Sequence, residues 1–383
     1  MKIKLNFCRT AFILLTVTLL LAGGCSKKES TSSSSSSTSS LTSGSLPVTE
    51  ITQTLGADEY LTGSFVVPSD GVSFLLSAFR DNNGVFKFYS LSDPDGTDIL
   101  SSSSTLNNKV SGSLGAYGYA NVLVPQSPSF SAKAGTWTFK AYSNDRVKLT
   151  LRSGTTPTST TIVVQPYITG TTWSAADLSA ALSVMSSIYS ANGITLSINS
   201  TITISDSQYA AVSGDFKNST TSALVSQGVT DAVNLFFIED YAGIGWLNVL
   251  GNAAGIPGSM GIANAWNGVL ISMTTHAHAT GSTLNAQLLG ETAAHEMGHQ
   301  LGLFHPTEQE GKKFDILSDT AECPNSRDND SNGEMSAEEC DGYGAENVMF
   351  WTTWSSSSRS AGKKQETLSS HQQKVLKYSP IAK

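Results

Sequence analysis

His295, Glu296 and His299, followed by Gly302 and His305, have the types and spacing that suit chemistry. Two histidines four apart on a helix leave the same face one turn apart, so both imidazoles can reach one zinc ion. Glu296, next to the first histidine, is the candidate general base. A helix carried on past His299 would point position 305 elsewhere. Gly302 can adopt a left-handed conformation closed to most side chains, which ends the helix and turns His305 back as a third ligand. Three of the chain's six histidines lie in this stretch, and a buried histidine triad without a cation is costly to satisfy. The expectation is a catalytic zinc site held by His295, His299 and His305, with an open fourth position for water and Glu296 as the catalytic residue. The plain alternative is an amphipathic helix whose histidines face a core.

A helix starting near Asn285 must carry that motif, and the preceding sequence supplies a scaffold for it. Thr161 to Tyr167 reads as a buried strand. Ser174 and Asp177 form a capping box, and Leu178, Leu182, Met185 and Ile188 recur at helical spacing until Gly193 stops the helix. Residues 194–204, 232–238 and 268–273 read as further strands, and 369–378, with Gln372, Val375 and Leu376, as a closing helix. His371 on that helix reads as surface. His276 and His278 lie just before the active helix without a partner set of their own, so they stay outside the site.

Residues 46–152 have a different texture, with short alternating runs broken by Asn82-Asn83-Gly84, Asp93-Pro94-Asp95-Gly96 and Asn144-Asp145. This predicts an antiparallel β-sandwich, joined by a Ser/Thr/Pro linker at 153–161 to a second domain over 162–383. The fold class is thus multidomain, an N-terminal β-sandwich followed by an α/β (α+β) domain.

The motif His295-Glu296-x-x-His299-x-x-Gly302-x-x-His305 resembles that of the metzincin zinc peptidases. The strand–helix–strand order upstream of it agrees with that resemblance. In metzincins an edge strand rims the cleft and pairs with extended substrate, and residues 255–262 occupy the corresponding place as either such a strand or a plain loop. Asp315, Asp319 and Thr320 with Cys323 close behind resemble the pappalysin-like branch, although Ala321 stands where that branch commonly has proline. Glu346-Asn347-Val348-Met349 resembles the metzincin Met-turn, which implies that Met349 packs beneath the zinc ligands without binding the metal. Trp351 occupies a position where many relatives have tyrosine, so no tyrosine switch is expected. The region around Lys133-Ala134-Gly135-Thr136-Trp137 weakly resembles a β-sandwich found beside secreted bacterial peptidases. That sandwich is either a module with a glycan or protein ligand or a spacer and folding aid.

Lys2, Lys4 and Arg9 precede an apolar run from Ala11 to Leu21 that is short for a membrane span and ends in small residues, as a cleaved signal does. Leu21-Ala22-Gly23-Gly24-Cys25 resembles a bacterial lipoprotein signal, implying cleavage of residues 1–24 and lipid attachment to Cys25. Residues 25–45, mostly serine and threonine after Lys27, Lys28 and Glu29, read as a tether spanning roughly 25 Å on average. Cleavage removes three positive charges from a chain of net charge −8. An acidic chain with few basic clusters argues against nucleic acid as a partner. An exported setting pairs the remaining cysteines, Cys323 and Cys340.

Between those cysteines, residues 328–339 match the EF-hand loop pattern. Asp328, Asp330 and Asn332 would offer side-chain oxygens, Glu334 a carbonyl and Glu339 a bidentate carboxylate to Ca²⁺. The combined expectation is a zinc endopeptidase, exported and held by lipid at an outer membrane or cell surface rather than at an inner membrane, acting on protein or peptide. The alternative is a surface adhesin with an inert metzincin domain.

Overall fold

The computed structural model describes residues 48–56, 60–79, 87–100, 119–128, 130–142, 147–155, 159–278, 281 and 283–383. The signal segment 1–24, Cys25, the tether 25–45 and the turns at 82–84 and 144–145 lie outside the described residues. Among the described residues, the N-terminal region forms two four-stranded antiparallel sheets. One has the order β1 (Val48–Glu50), β8 (Val147–Ser153), β4 (Gly71–Phe79), β6 (Tyr119–Val124). The other runs β2 (Gln53–Leu55), β3 (Tyr60–Val67), β7 (Gly135–Tyr142), β5 (Lys87–Ser92). Alternation along the strands sends Phe74, Leu76, Val122, Val124 and Leu149 from the first sheet and Val67, Trp137, Phe139 and Leu91 from the second into one shared core.

The C-terminal region centres on a mixed sheet. Its order is β10 (Thr195–Ile198), β9 (Thr161–Thr169), β13 (Val233–Ile238), β16 (Val269–Ser272), β15 (Gly251–Ala253), with β11 (Ile202–Ile204) also pairing β9. All these pairings are parallel except β15, which runs antiparallel to β16 at the sheet's edge. A two-residue pair, β12 (Ala211–Val212) with β14 (Asp240–Tyr241), sits apart from it. Strand β13 is buried throughout, as an apolar run covered on both faces should be.

Helix α1 (Ala175–Ala191) carries both halves of the Ser174/Asp177 capping box and buries Leu178, Leu182, Met185 and Ile188. A short α2 (Ser219–Val225) follows, and the motif helix α3 (Ala286–Gln300) starts after an Asn285 cap whose side chain accepts from the Leu288 amide at 3.1 Å. Two further helices close the chain, α4 (Ser356–Ser360) and α5 (Ser370–Tyr378).

One expectation changes, and one open alternative is decided. The run 194–204 is two strands, because the chain bends between Ile198 and Ile202 and pairs twice along β9. Residues 255–262 form a loop, and the edge strand is the shorter segment upstream, Gly251–Ala253. Pro257 cannot donate to a ladder, and Ser259 instead reaches back to the Trp266 carbonyl at 2.9 Å.

The first N-terminal sheet has no free face at its centre. Antiparallel sheets commonly leave one face to water, yet Ser73, Ser77, Asn121 and Thr150 are buried, and Leu75 and Leu123 belong to the core of the C-terminal region. Side chains of this sheet and of the segment after β6 bond across the seam. Asn121 donates to the Pro257 carbonyl at 3.1 Å, Thr150 to Met260 at 3.2 Å, and Arg152 to Lys377 at 2.8 Å.

Candidate metal centre and active site

Helix α3 presents His295 and His299 one turn apart, with ring centroids 4.6 Å apart. The helix ends at Gly302, whose φ of +104° is the left-handed turn that glycine permits. The Gly302 amide donates to His299 O at 2.9 Å and the Leu303 amide to Gly298 O at 2.9 Å, and the chain then folds back to His305. His305 Nε2 lies 3.0 Å from His299 Nε2 and 3.3 Å from His295 Nε2. Nitrogens about 2 Å from one ion in tetrahedral array sit roughly 3.3 Å apart. Both distances match that spacing.

The outward nitrogens explain the inward ones. His295 Nδ1 donates to the Val348 carbonyl at 2.8 Å and His299 Nδ1 to the Leu303 carbonyl at 2.8 Å. A carbonyl only accepts, so both protons sit on Nδ1 and both Nε2 lone pairs point inward. His305 Nδ1 is 3.0 Å from the Glu308 carboxylate, which fixes the third ring in the same way. Burial, then the neighbouring His305, pushes the His295 pKa down to about 3, against the Val348 hydrogen bond. Burial and the two neighbouring histidines hold His299 well below its ordinary value. Neutral rings whose lone pairs converge at 3.0–3.3 Å repel one another unless a cation lies among them. The donor set therefore fits zinc.

Glu296 is almost fully buried beside the triad. Its side chain lies over the edge strand at Gly251, where a Cβ would stand 2.5 Å from Glu296 Cγ. Burial raises its pKa to about 8, an effect partly offset by a hydrogen bond from the Ala253 backbone.

Met349 is fully buried, with its sulfur against Gly298 on the underside of the motif helix. Val348, which orients His295, is the residue just before it. Asn347 accepts from the Met349 amide at 2.8 Å and is itself held by Gln372 of α5 at 2.8 Å. Trp351 donates its indole N–H to the Met335 carbonyl at 2.7 Å and so faces the 306–347 segment. His276 bridges Ser272 O at 2.6 Å and Thr292 Oγ1 at 2.9 Å, which buttresses α3 away from the triad, and His278 lies in the loop that follows.

Cys323 and Cys340 form a disulfide across the 306–347 segment. Asp328, Asp330 and Glu339 have carboxylate oxygens within 4.8 Å of one another. Glu339 accepts from the amides of Asn329 and Ser336 at 2.7 and 2.9 Å, whereas the Glu334 side chain turns away to accept from Gln309 at 2.7 Å. Asn332 Oδ1 accepts from the Glu334 amide at 2.7 Å. Asp328 accepts from the amides of Asn332 and Gly333 at 3.2 and 2.9 Å, which draws the loop's two arms together.

Sequence reasoning missed the residues that hold the site residues in place. Glu308, three positions after His305, carried a legible signal as the nearest following carboxylate. Gly251, Ala253 and the carbonyls of Leu303 and Val348 carried none, because backbone groups and a lone glycine leave no pattern.

Residues 175–306 match the model of the reprolysin-like metallopeptidases of family M12B. Over this stretch the chain is similar to a zinc metallopeptidase of metzincin type. Among solved structures, metalloproteinase-II from Bacteroides fragilis is similar at 14% sequence identity and a TM-score of 0.25. That match covers 45% of this chain and 55% of the other, so the chain spans little more than half of that protein's length. No curated relative matches the chain.

Proposed function

We propose that this chain is a zinc-dependent endopeptidase in which His295, His299 and His305 hold the metal and Glu296 is the general base. The observation that carries the reading is that His305 Nε2 lies 3.0 and 3.3 Å from the other two Nε2 atoms while the outer nitrogens are tied off. When bound, zinc supplies a Lewis acid that polarises the scissile carbonyl and acidifies water. Glu296 takes the proton from the attacking water and delivers it to the leaving amine, with Gly251 and Ala253 holding its carboxyl in place. Strand β15 ends the sheet order, so its outer edge can add an extended substrate as a further strand. Cleavage within chains rather than at their ends follows from substrate lying along such an edge.

The test is cleavage of denatured casein, with metal content measured on the same samples. Wild type should hold one zinc per chain and cleave. Glu296→Ala should keep the zinc and lose activity by at least about 10²–10⁴-fold, the usual worth of a general base. Equal inertness of both proteins with zinc retained would favour the adhesin reading.

The finer assignments are part of the same proposal. The pappalysin-like branch is supported by the segment after the motif. Asp315 accepts from Thr320 at 2.6 Å, and Asp319 accepts from Ser369, Ser370 and the His371 amide at 2.7–2.9 Å, capping α5. His371 thus faces a carboxylate rather than water alone. Calcium at Asp328, Asp330, Asn332, Glu334 and Glu339 is supported by the sequence pattern and by the closeness of three carboxylates. A lipid on Cys25 and the tether 25–45 would hold the enzyme at a membrane surface. Among the described residues no helix is long and apolar enough to cross a membrane.

A further inference from the structure

We infer that Gln126, which follows β6 in the N-terminal region, is a positioning residue for the histidine triad and acts by locking the Gly302–Leu303 peptide. The inference rests on the zinc reading above. Gln126 is buried, and its Nε2 donates to the Gly302 carbonyl at 3.1 Å. The N–H of that same peptide group, on Leu303, donates to Gly298 O at 2.9 Å. One peptide plane is therefore held from both ends, by the motif helix on one side and by Gln126 on the other.

The peptide needs such a hold because of what lies on either side of it. Gly302 sits at φ +104°, and glycine offers little intrinsic resistance to rotation of the peptide that follows it. Immediately beyond, the Leu303 carbonyl accepts from His299 Nδ1 at 2.8 Å, and the chain runs on to His305. A rotated 302–303 peptide would move the group that orients the second ligand and the short segment that delivers the third. Leu123 of β6 presses on the same point, since a Cβ at Gly302 would stand 2.8 Å from Leu123 Cδ2. The N-terminal sheets thus form one wall of the metal site's supporting shell.

The bond can be separated from general adhesion between the two regions by comparing two seam variants in the full chain. Gln126→Met keeps side-chain volume and removes the donor to Gly302. Thr150→Val removes a comparable seam bond, to the Met260 carbonyl, away from the histidine turn. Zinc release to an excess of a colorimetric chelator is followed at a temperature where circular dichroism shows every variant folded. Release from Gln126→Met should be about tenfold faster than from wild type, the scale seen when outer-shell support of a metal ligand is lost. Thr150→Val should release at the wild-type rate. Should Gln126→Met misfold, Gln126→Leu tests the same bond. Wild-type release rates in the Gln126 variants, or equal acceleration in Thr150→Val, would overturn the inference while the zinc reading stands. A wild type that binds no zinc would overturn both.

Discussion

At the scale of single residues, the site depends on close approaches that only one side chain allows. Gly251 is the clearest, because Glu296 occupies the space a Cβ would need. Gly251→Ala should push the carboxyl aside and lower kcat by about 10²-fold or more while zinc content stays at wild type, since the ligands are untouched. Steady-state rates beside metal analysis check this. His276 governs a different property. Burial, with Arg359 adding to it and the Ser272 hydrogen bond opposing, pushes its pKa down to about 4. A folded pKa below the unfolded one means that its contribution to stability is full above about pH 6.5 and is lost as pH falls toward 4. The wild type should therefore lose on the order of 3 kcal/mol through this one group between those limits. His276→Gln should flatten that part of the profile in urea unfolding measured at several pH values.

At the scale of elements, the 306–347 segment stands out because it has little regular structure and a small core of its own. Met335, Ala337 and Ala345 pack around the disulfide with Phe350 and Trp354 from just beyond the segment. The bridge closes a separation of 17 residues, worth about 3 kcal/mol in the chain-entropy picture. The paired Cys323→Ala, Cys340→Ala variant should lose roughly that much stability by denaturant unfolding. It should also free the Met335 carbonyl that Trp351 holds. Helix α3 is secured differently, by a buried ion pair between Glu291 and Arg359 of α4, with Gln287 donating to Glu291 at 2.7 Å. The motif helix is thus held along its length by the sheet, by α4 and by the Met349 turn.

At the scale of the whole molecule, the elements that announced themselves locally were legible. The capping box, the helical spacing of Leu178 to Ile188 and the continuous apolar run of β13 each carry their structure in a few neighbouring residues. The triad was legible for the same reason, since its spacing is a property of one helix and one glycine. What stayed hidden were meetings of distant chain, such as Gly251 under Glu296, and Leu75 and Leu123 in the core of the other region. Ser73, Ser77 and Asn121 are polar yet fully buried, and no pattern of neighbouring residues announces the partner that covers them. A chain lacking residues 48–153 should therefore expose the apolar seam around Met260 and Leu303. It should elute as aggregate in size-exclusion chromatography, where the intact chain runs as a discrete species.

That seam also has a mechanical consequence. With the sheet β1-β8-β4-β6 packed on the C-terminal region, there is no slack joint between the first described strand and the histidine turn. A pull applied at residue 48 would load β1, then β8, β4 and β6 in order, and would arrive at Gly302. Tension on the first described strand would thus bear on the turn that carries His305, through Leu123 and Gln126 against Gly302.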